Sequence, residues 1–137
     1  MKRYEDWDVR LFEEVEKVKN IPFAYGVHDC ALLASHLAYV MTGVDIAGDV
    51  RGTYTTAFGA LRCLKRVYGV DNLADLVGQY FPAIPVAKAS RGDVVLLITR
   101  ETPSGALGIV LGDKAIFPGP SKCEFVNVSE CNQAWRV

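Results

Sequence analysis

Tyr4, Trp7, Leu11, Phe12, Val15 and Val18 recur at helical spacing, with Glu13, Glu14, Glu16, Lys17 and Lys19 between them. The pattern predicts an amphipathic helix over 5–19 that lays one apolar stripe on the body. Asn20-Ile21-Pro22 ends it, because the residue before proline avoids helical angles. From Cys30 to Thr42 the residues are apolar almost all round, which predicts a central, buried helix. Cys30, Leu33, Ala34, Leu37 and Met41 share one face of it, while Ser35, Tyr39 and Thr42 form a thin polar stripe. Gly43 supplies the stop. A glycine-containing loop over 45–56 leads into a helix from 54 or 55 to 68, with Ala57, Leu61, Leu64 and Tyr68 inward. Arg62, Lys65 and Arg66 make its outer, solvated basic face. Asp71 is placed to cap a shorter helix through Leu73, Leu76, Val77 and Tyr80, which Pro82 ends.

After Pro85 the period shortens. The aliphatic run 94–98 reads as a buried strand, 106–111 as a second and 114–117 as a third. Residues 124–128 alternate as a fourth, and 134–137 add a last, edge strand. Arg91-Gly92-Asp93 has the letters of an adhesion motif, but glycine and aspartate here read as the turn that delivers the first strand. Runs of helices followed by runs of strands imply an α+β fold. It forms one domain over 1–137, helical over 1–81 and mainly β over 86–137, with the central helix packed on a small antiparallel sheet.

Composition narrows the function classes. Half of the 137 residues are hydrophobic and the net charge is −1, which argues against disorder and against bulk nucleic-acid binding. No apolar run reaches the ~20 residues of a membrane span, so no membrane insertion is expected. The stretch MKRYEDWDVR lacks an apolar signal core, which predicts a protein made in the cytoplasm without a signal peptide. Cys30, Cys63, Cys123 and Cys131 show no Cys-x-x-Cys spacing, so reduced thiols are expected, with no metal and no cofactor.

The chemistry concentrates at one turn. Tyr25-Gly26 leads to Asp29, which sits where a helix N-cap belongs, and Cys30 takes the first helical position. A thiol near the positive end of a helix has a lowered pKa, and a cysteine at the start of a buried helix is the geometry of a cysteine hydrolase. The plainer alternative is a small hydrophobe in a core.

Tyr25-Gly26, Asp29-Cys30, Gly92-Asp93-Val94-Val95 and Gly108-Ile109-Val110-Leu111-Gly112 fall in one order along the chain. That order resembles the NlpC/P60 branch of the papain-like cysteine hydrolases. The chain is more closely similar to short proteins of that fold found in phage and prophage tail gene clusters. Thr42-Gly43-Val44-Asp45, Arg51-Gly52-Thr53-Tyr54 and Ala134-Trp135-Arg136 carry this closer likeness, over 23–137.

The resemblance implies a general base at position 106 and a base-orienting residue near the end of the next strand. Ala106 and Phe117 stand there, and Ala31-Leu32 replaces the usual Ser-Gly after the nucleophile. Neither alanine nor phenylalanine moves a proton. Of the two histidines, His36 lies about 240° round the helix from Cys30 and faces away. His28, two residues before Cys30, is the one imidazole placed to improvise as a base.

Two functions follow from the resemblance. One is a pseudoenzyme kept as an adaptor in a phage or prophage tail tip. It would bind other tail or hub proteins, with Trp7, Trp135 and Arg136 as exposed anchors. The alternative is a cysteine peptidase or amidase acting on cell-wall peptidoglycan. Cys30 would then be the nucleophile, His28 the base, and backbone amides at the helix start the oxyanion donors. A third reading, ligand or acyl binding in the relic cleft, has no dedicated residue pattern.

Overall fold

The computed structural model describes residues 2–137. Helix α1 (Trp7–Val18) buries Leu11, Val15 and Val18, while Phe12 of the expected stripe stays exposed. The buried stripe is thus narrower than the apolar one. Helix α2 (Cys30–Thr42) starts at Asp29, whose carboxylate accepts the Leu32 amide, and Gly43 closes it in the left-handed conformation. Leu33, Leu37 and Met41 are sealed between α1 and the sheet. Each such side chain contributes about 1.5–3 kcal/mol by leaving water. Thr42, expected on a polar stripe, is buried and donates to the Ala38 carbonyl at 2.7 Å.

Helix α3 (Ala57–Cys63) begins at Thr56, whose hydroxyl accepts the Gly59 amide, and widens into a π turn over Leu64–Tyr68. Its inward residues are Cys63 and Leu64; Ala57 and Leu61, expected inward, are exposed. The reason is that α3 rests on the body through its C-terminal half while its first half overhangs a cleft. Helix α4 (Leu73–Gly78) is capped by Asn72, which accepts the Asp75 amide. Asp71, the expected cap, lies one residue too early and pairs with Lys65 at 3.2 Å instead.

The six strands are β1 (Ala83–Ile84), β2 (Val94–Leu97), β3 (Ala106–Val110), β4 (Lys114–Phe117), β5 (Glu124–Asn127) and β6 (Gln133–Trp135). They pair antiparallel in the order β1-β6-β2-β3-β4-β5. Strands β2 to β5 form the expected meander. The last strand is not an edge: β6 lies between β1 and β2, with Trp135 opposite both Ala83 and Val94. The two-residue β1 is too short to leave a periodic signal, and it takes the outer position. Trp135 is consequently only 4% exposed and belongs to the core, so it is no surface anchor.

The alternation of strand residues splits the sheet into two apolar faces. Leu96, Leu107, Ile109 and Ile116 pack toward α1 and α2. Val95, Val110, Ala115 and Phe117 pack on the other face, under the turns at Val86–Lys88 and Val128–Glu130. Gly108 belongs to this second face, where a Cβ would meet the Phe117 ring at 2.6 Å.

The Arg91-Gly92-Asp93 turn delivers β2 as expected, but Asp93 does more than turn the chain. It is fully buried at 0% exposure. It accepts from the Ser90 amide at 3.0 Å, from the Val137 amide at 3.3 Å and from the Arg3 guanidinium at 3.0 Å. Arg3 also donates to the Val137 carbonyl, and Arg136 lies 3.6 Å from the same carboxylate. One buried anion therefore holds residues near both ends of the chain against the turn before β2. An aspartate so enclosed has no oxygen free for an adhesion receptor.

Candidate functional site: the cleft at the start of the central helix

A cleft of about 1230 Å³ opens between α3, the start of α2, the loop at 99–105 and the far end of the sheet. Cys30, Tyr54, Leu61, Leu97, Ala106 and Phe117 are among its lining residues. The turn that presents Cys30 is fixed from several sides. Gly26 has a φ of +79°, and a Cβ there would lie 1.9 Å from the Tyr54 carbonyl oxygen. Only glycine permits both that angle and that approach. The Gly26 carbonyl in turn accepts the Gly52 amide at 2.8 Å, so the 51–54 loop is bound onto the cysteine turn.

Asp29 is saturated. Its carboxylate accepts the Leu32 amide at 2.9 Å, the Gly26 amide at 3.0 Å and the Tyr54 hydroxyl at 2.5 Å. It is a cap and a tether for Tyr54. Burial, reinforced by the hydrogen bond to the Asp29 carboxylate, raises the Tyr54 pKa, so its hydroxyl stays a neutral donor.

Cys30 begins α2 as expected and is partly exposed to the cleft. Its protonation differs from what the helix end alone suggests. Burial pushes the thiol up to about 11, the nearby Asp29 charge adds to this, and the Leu107 amide offsets part of it. At neutral pH the sulfur is therefore a thiol. The helix terminus loses to desolvation.

Ala106 begins β3 and lines the same cleft as Cys30. Its methyl group packs with the second sheet face, and Phe117 closes the same wall. Neither position holds a proton acceptor.

The two histidines are both committed elsewhere. His36 is half-buried between α2 and α1, where its Nε2 contacts Glu14 at 2.7 Å. His28 is 6% exposed, and its Nε2 lies 3.6 Å from the Cys123 sulfur. Among the described residues, no hydrogen bond joins His28 to Cys30. Burial lowers the His28 pKa, against the opposing charge of Asp29, and burial raises that of Cys123. The His28–Cys123 pair is therefore neutral on both sides. Cys123 also bonds the Val18 carbonyl at 3.5 Å, which ties the cysteine turn to the end of α1. All four cysteines are free.

Of the expected surface anchors, Trp135 is core. Trp7 is half-buried beneath the Arg3 guanidinium, 4.2 Å from its ring centre. Arg136 is exposed but directs its guanidinium to Asp93 and to the Lys88 carbonyl. The three do not make an open patch. Tyr54 was the functional neighbour that pattern reading missed. Its signal lay in the Arg51-Gly52-Thr53-Tyr54 loop, whose role becomes visible only when that loop is seen against Gly26.

The helix-borne cysteine turn packed on an antiparallel sheet is the architecture of the NlpC/p60 domains. The chain superposes on the NlpC/p60 domain of the peptidoglycan hydrolase SagA with a TM-score of 0.59 at 18% identity, covering 95% of this chain and 98% of that one. It also matches RipD from Mycobacterium tuberculosis, described as a non-catalytic NlpC/p60 domain protein adapted to peptidoglycan binding. There the TM-score is 0.50 at 14% identity, over 98% of this chain and 99% of that one. Such likeness defines the fold. The chain belongs to the family described as a domain of unknown function, DUF6950, whose pattern spans residues 2–137. No curated protein matches it.

Proposed function

We propose that this protein is a non-hydrolytic docking protein on an NlpC/P60-like fold, serving as an adaptor in a phage or prophage tail tip. The observation that carries the first half of this reading is the state of Cys30. It lines an open cleft, its pKa is pushed up to about 11, and Ala106 stands where the resemblance expects the base. Loss of a general base removes about 10²–10⁴-fold of rate. The tail-tip half rests on the motif resemblance through Asp29-Cys30, Thr42-Gly43, Arg51-Gly52 and Ala134-Trp135-Arg136.

The alternative, a cysteine peptidase or amidase of cell-wall peptidoglycan, needs His28 to serve Cys30. The contact of His28 with Cys123 counts against it. A peptidoglycan-binding role without cleavage, as described for RipD, shares the missing base and differs only in the occupant of the cleft.

Incubating the purified protein with peptidoglycan fragments tests the first half. No soluble product is expected, and digestion that vanishes in Cys30→Ser would sink the reading. Mass spectrometry of tail particles from a producing lysogen tests the second half; tails lacking the chain would remove the adaptor assignment.

A further inference from the structure

We propose that the cleft beside Cys30 is a docking groove for an extended, basic segment of a partner protein, in which lysine or arginine alternates with large apolar side chains. This rests on the reading of the cleft as non-hydrolytic and names the chemistry of its occupant.

Size and shape come first. The cavity of about 1230 Å³ exceeds the ~300–1,000 Å³ of ordinary small-molecule sites. Its walls are apolar, with Leu61, Leu73, Leu97, Phe117 and Val126 facing the space. The apolar surface does not stop at the rim. Phe58 is 70% exposed and Leu61 52% exposed on the overhanging half of α3, an exposure that marks a contact surface. β5 ends the sheet, and its Glu124 and Val126 line the groove. An extended chain laid along β5 would meet backbone groups that no strand of this protein pairs.

Charge selects the occupant. The lining includes Asp29, Asp71, Glu101, Glu124 and Glu130, and no lysine, arginine or histidine. Asp29 is spent on the cysteine turn and Asp71 on Lys65. Glu101, Glu124 and Glu130 have no ion-pair partner among the described residues. Arg100 and Lys122, their neighbours in sequence, lie off the lining. A cleft of one sign between apolar walls concentrates the opposite charge. An acidic segment would be repelled, and a purely apolar one would desolvate three carboxylates without compensating them.

The test uses fluorescence anisotropy of a fluorescein-labelled peptide alternating lysine with leucine and phenylalanine. Two control peptides accompany it, one with glutamate for lysine and one with serine for the apolar residues. The groove variant is the triple Glu101→Lys, Glu124→Lys, Glu130→Lys, which changes only exposed positions, with circular dichroism checking its fold. Leu61→Ser is a second, independent variant. The basic peptide should bind the parent, and both controls should bind at least tenfold more weakly. The triple variant should lose about tenfold or more, the yield of three exposed ion pairs together, and added salt should weaken binding.

Several results would overturn the proposal. They are no binding of the basic peptide, equal binding of either control, and undiminished affinity in the triple variant. Preferential binding of a peptidoglycan stem peptide would also overturn it, as would dimerisation in ultracentrifugation that the triple variant abolishes. Cys30→Ser is run in parallel. Peptide cleavage by the parent but not by this variant would sink the non-hydrolytic reading, while the binding comparison between peptides would still stand on its own.

Discussion

Cys30 and Cys123 divide between them what a cysteine hydrolase needs in one place. Cys30 has the helix start and the open cleft but no imidazole. Cys123 has an imidazole at 3.6 Å but lies buried, 3% exposed, against the Val18 carbonyl. Burial leaves the first thiol protonated at neutral pH, with no imidazole beside it. A base without access makes the second a packing contact. The difference teaches that a cysteine at a helix start is only half of a site. The resemblance expects activation from the far strand, where this chain carries Ala106.

The sharpest way to break the comparison is to return a base to the cleft. Ala106→His places an imidazole on the wall shared with Cys30. Site-resolved alkylation at neutral pH should then speed up at Cys30 by about 10²-fold. Phe117 cannot orient the ring, so full hydrolase activity is not expected from this change alone. An unchanged alkylation rate would mean that position 106 does not face the sulfur.

The opposite test removes the base that is present. His28→Ala leaves a cavity and strips Cys123 of its partner, at an expected cost of about 2–4 kcal/mol in chemical denaturation. It should leave Cys30 alkylation within a factor of about two, since the two thiols occupy separate environments. A large change in Cys30 reactivity would tie His28 to the cleft.

Tyr54→Phe probes the cysteine turn more gently. Losing a hydrogen bond to the buried Asp29 carboxylate should cost about 1.5–3 kcal/mol. A stability equal to that of the parent would show the tether to be incidental.

The smallest effect is a pH slope. Burial holds the folded His28 pKa below its ordinary value, so the unfolded chain binds the extra proton first. The associated stability is fully present above about pH 6.5 and falls as pH drops toward the folded pKa. Subtracting the profile of His28→Gln should isolate this slope. Parallel profiles for parent and variant would contradict the assignment.

Much of this architecture was legible along the chain, and the illegible parts share a cause. Asp29 as cap, Cys30 as first helical residue and the meander of β2 to β5 follow from local signals: a capping side chain, a period of 3.6, a period of 2. β6 read as an edge because its neighbour β1 is two residues long and carries no period. Trp135 therefore looked exposed. Leu61 matched an inward position by spacing, but spacing does not say that half of α3 hangs over a cleft. His28 meets Cys123 across 95 residues, and Arg3 meets Asp93 across 90, contacts that only the closed fold creates. The expectation of a missing base came from the resemblance, which sets a fixed offset from Gly108 to Ala106. The destination of His28 was not legible.

The central claim is that the cleft thiol is not activated. The measurement that meets it directly is the pH dependence of Cys30 alkylation by iodoacetamide, resolved from the other three thiols by peptide mass spectrometry. The account predicts slow reaction at neutral pH and a rate still climbing through pH 10, with its midpoint near 11. A plateau reached below pH 8 would mean a thiolate held by a base, and would contradict the account.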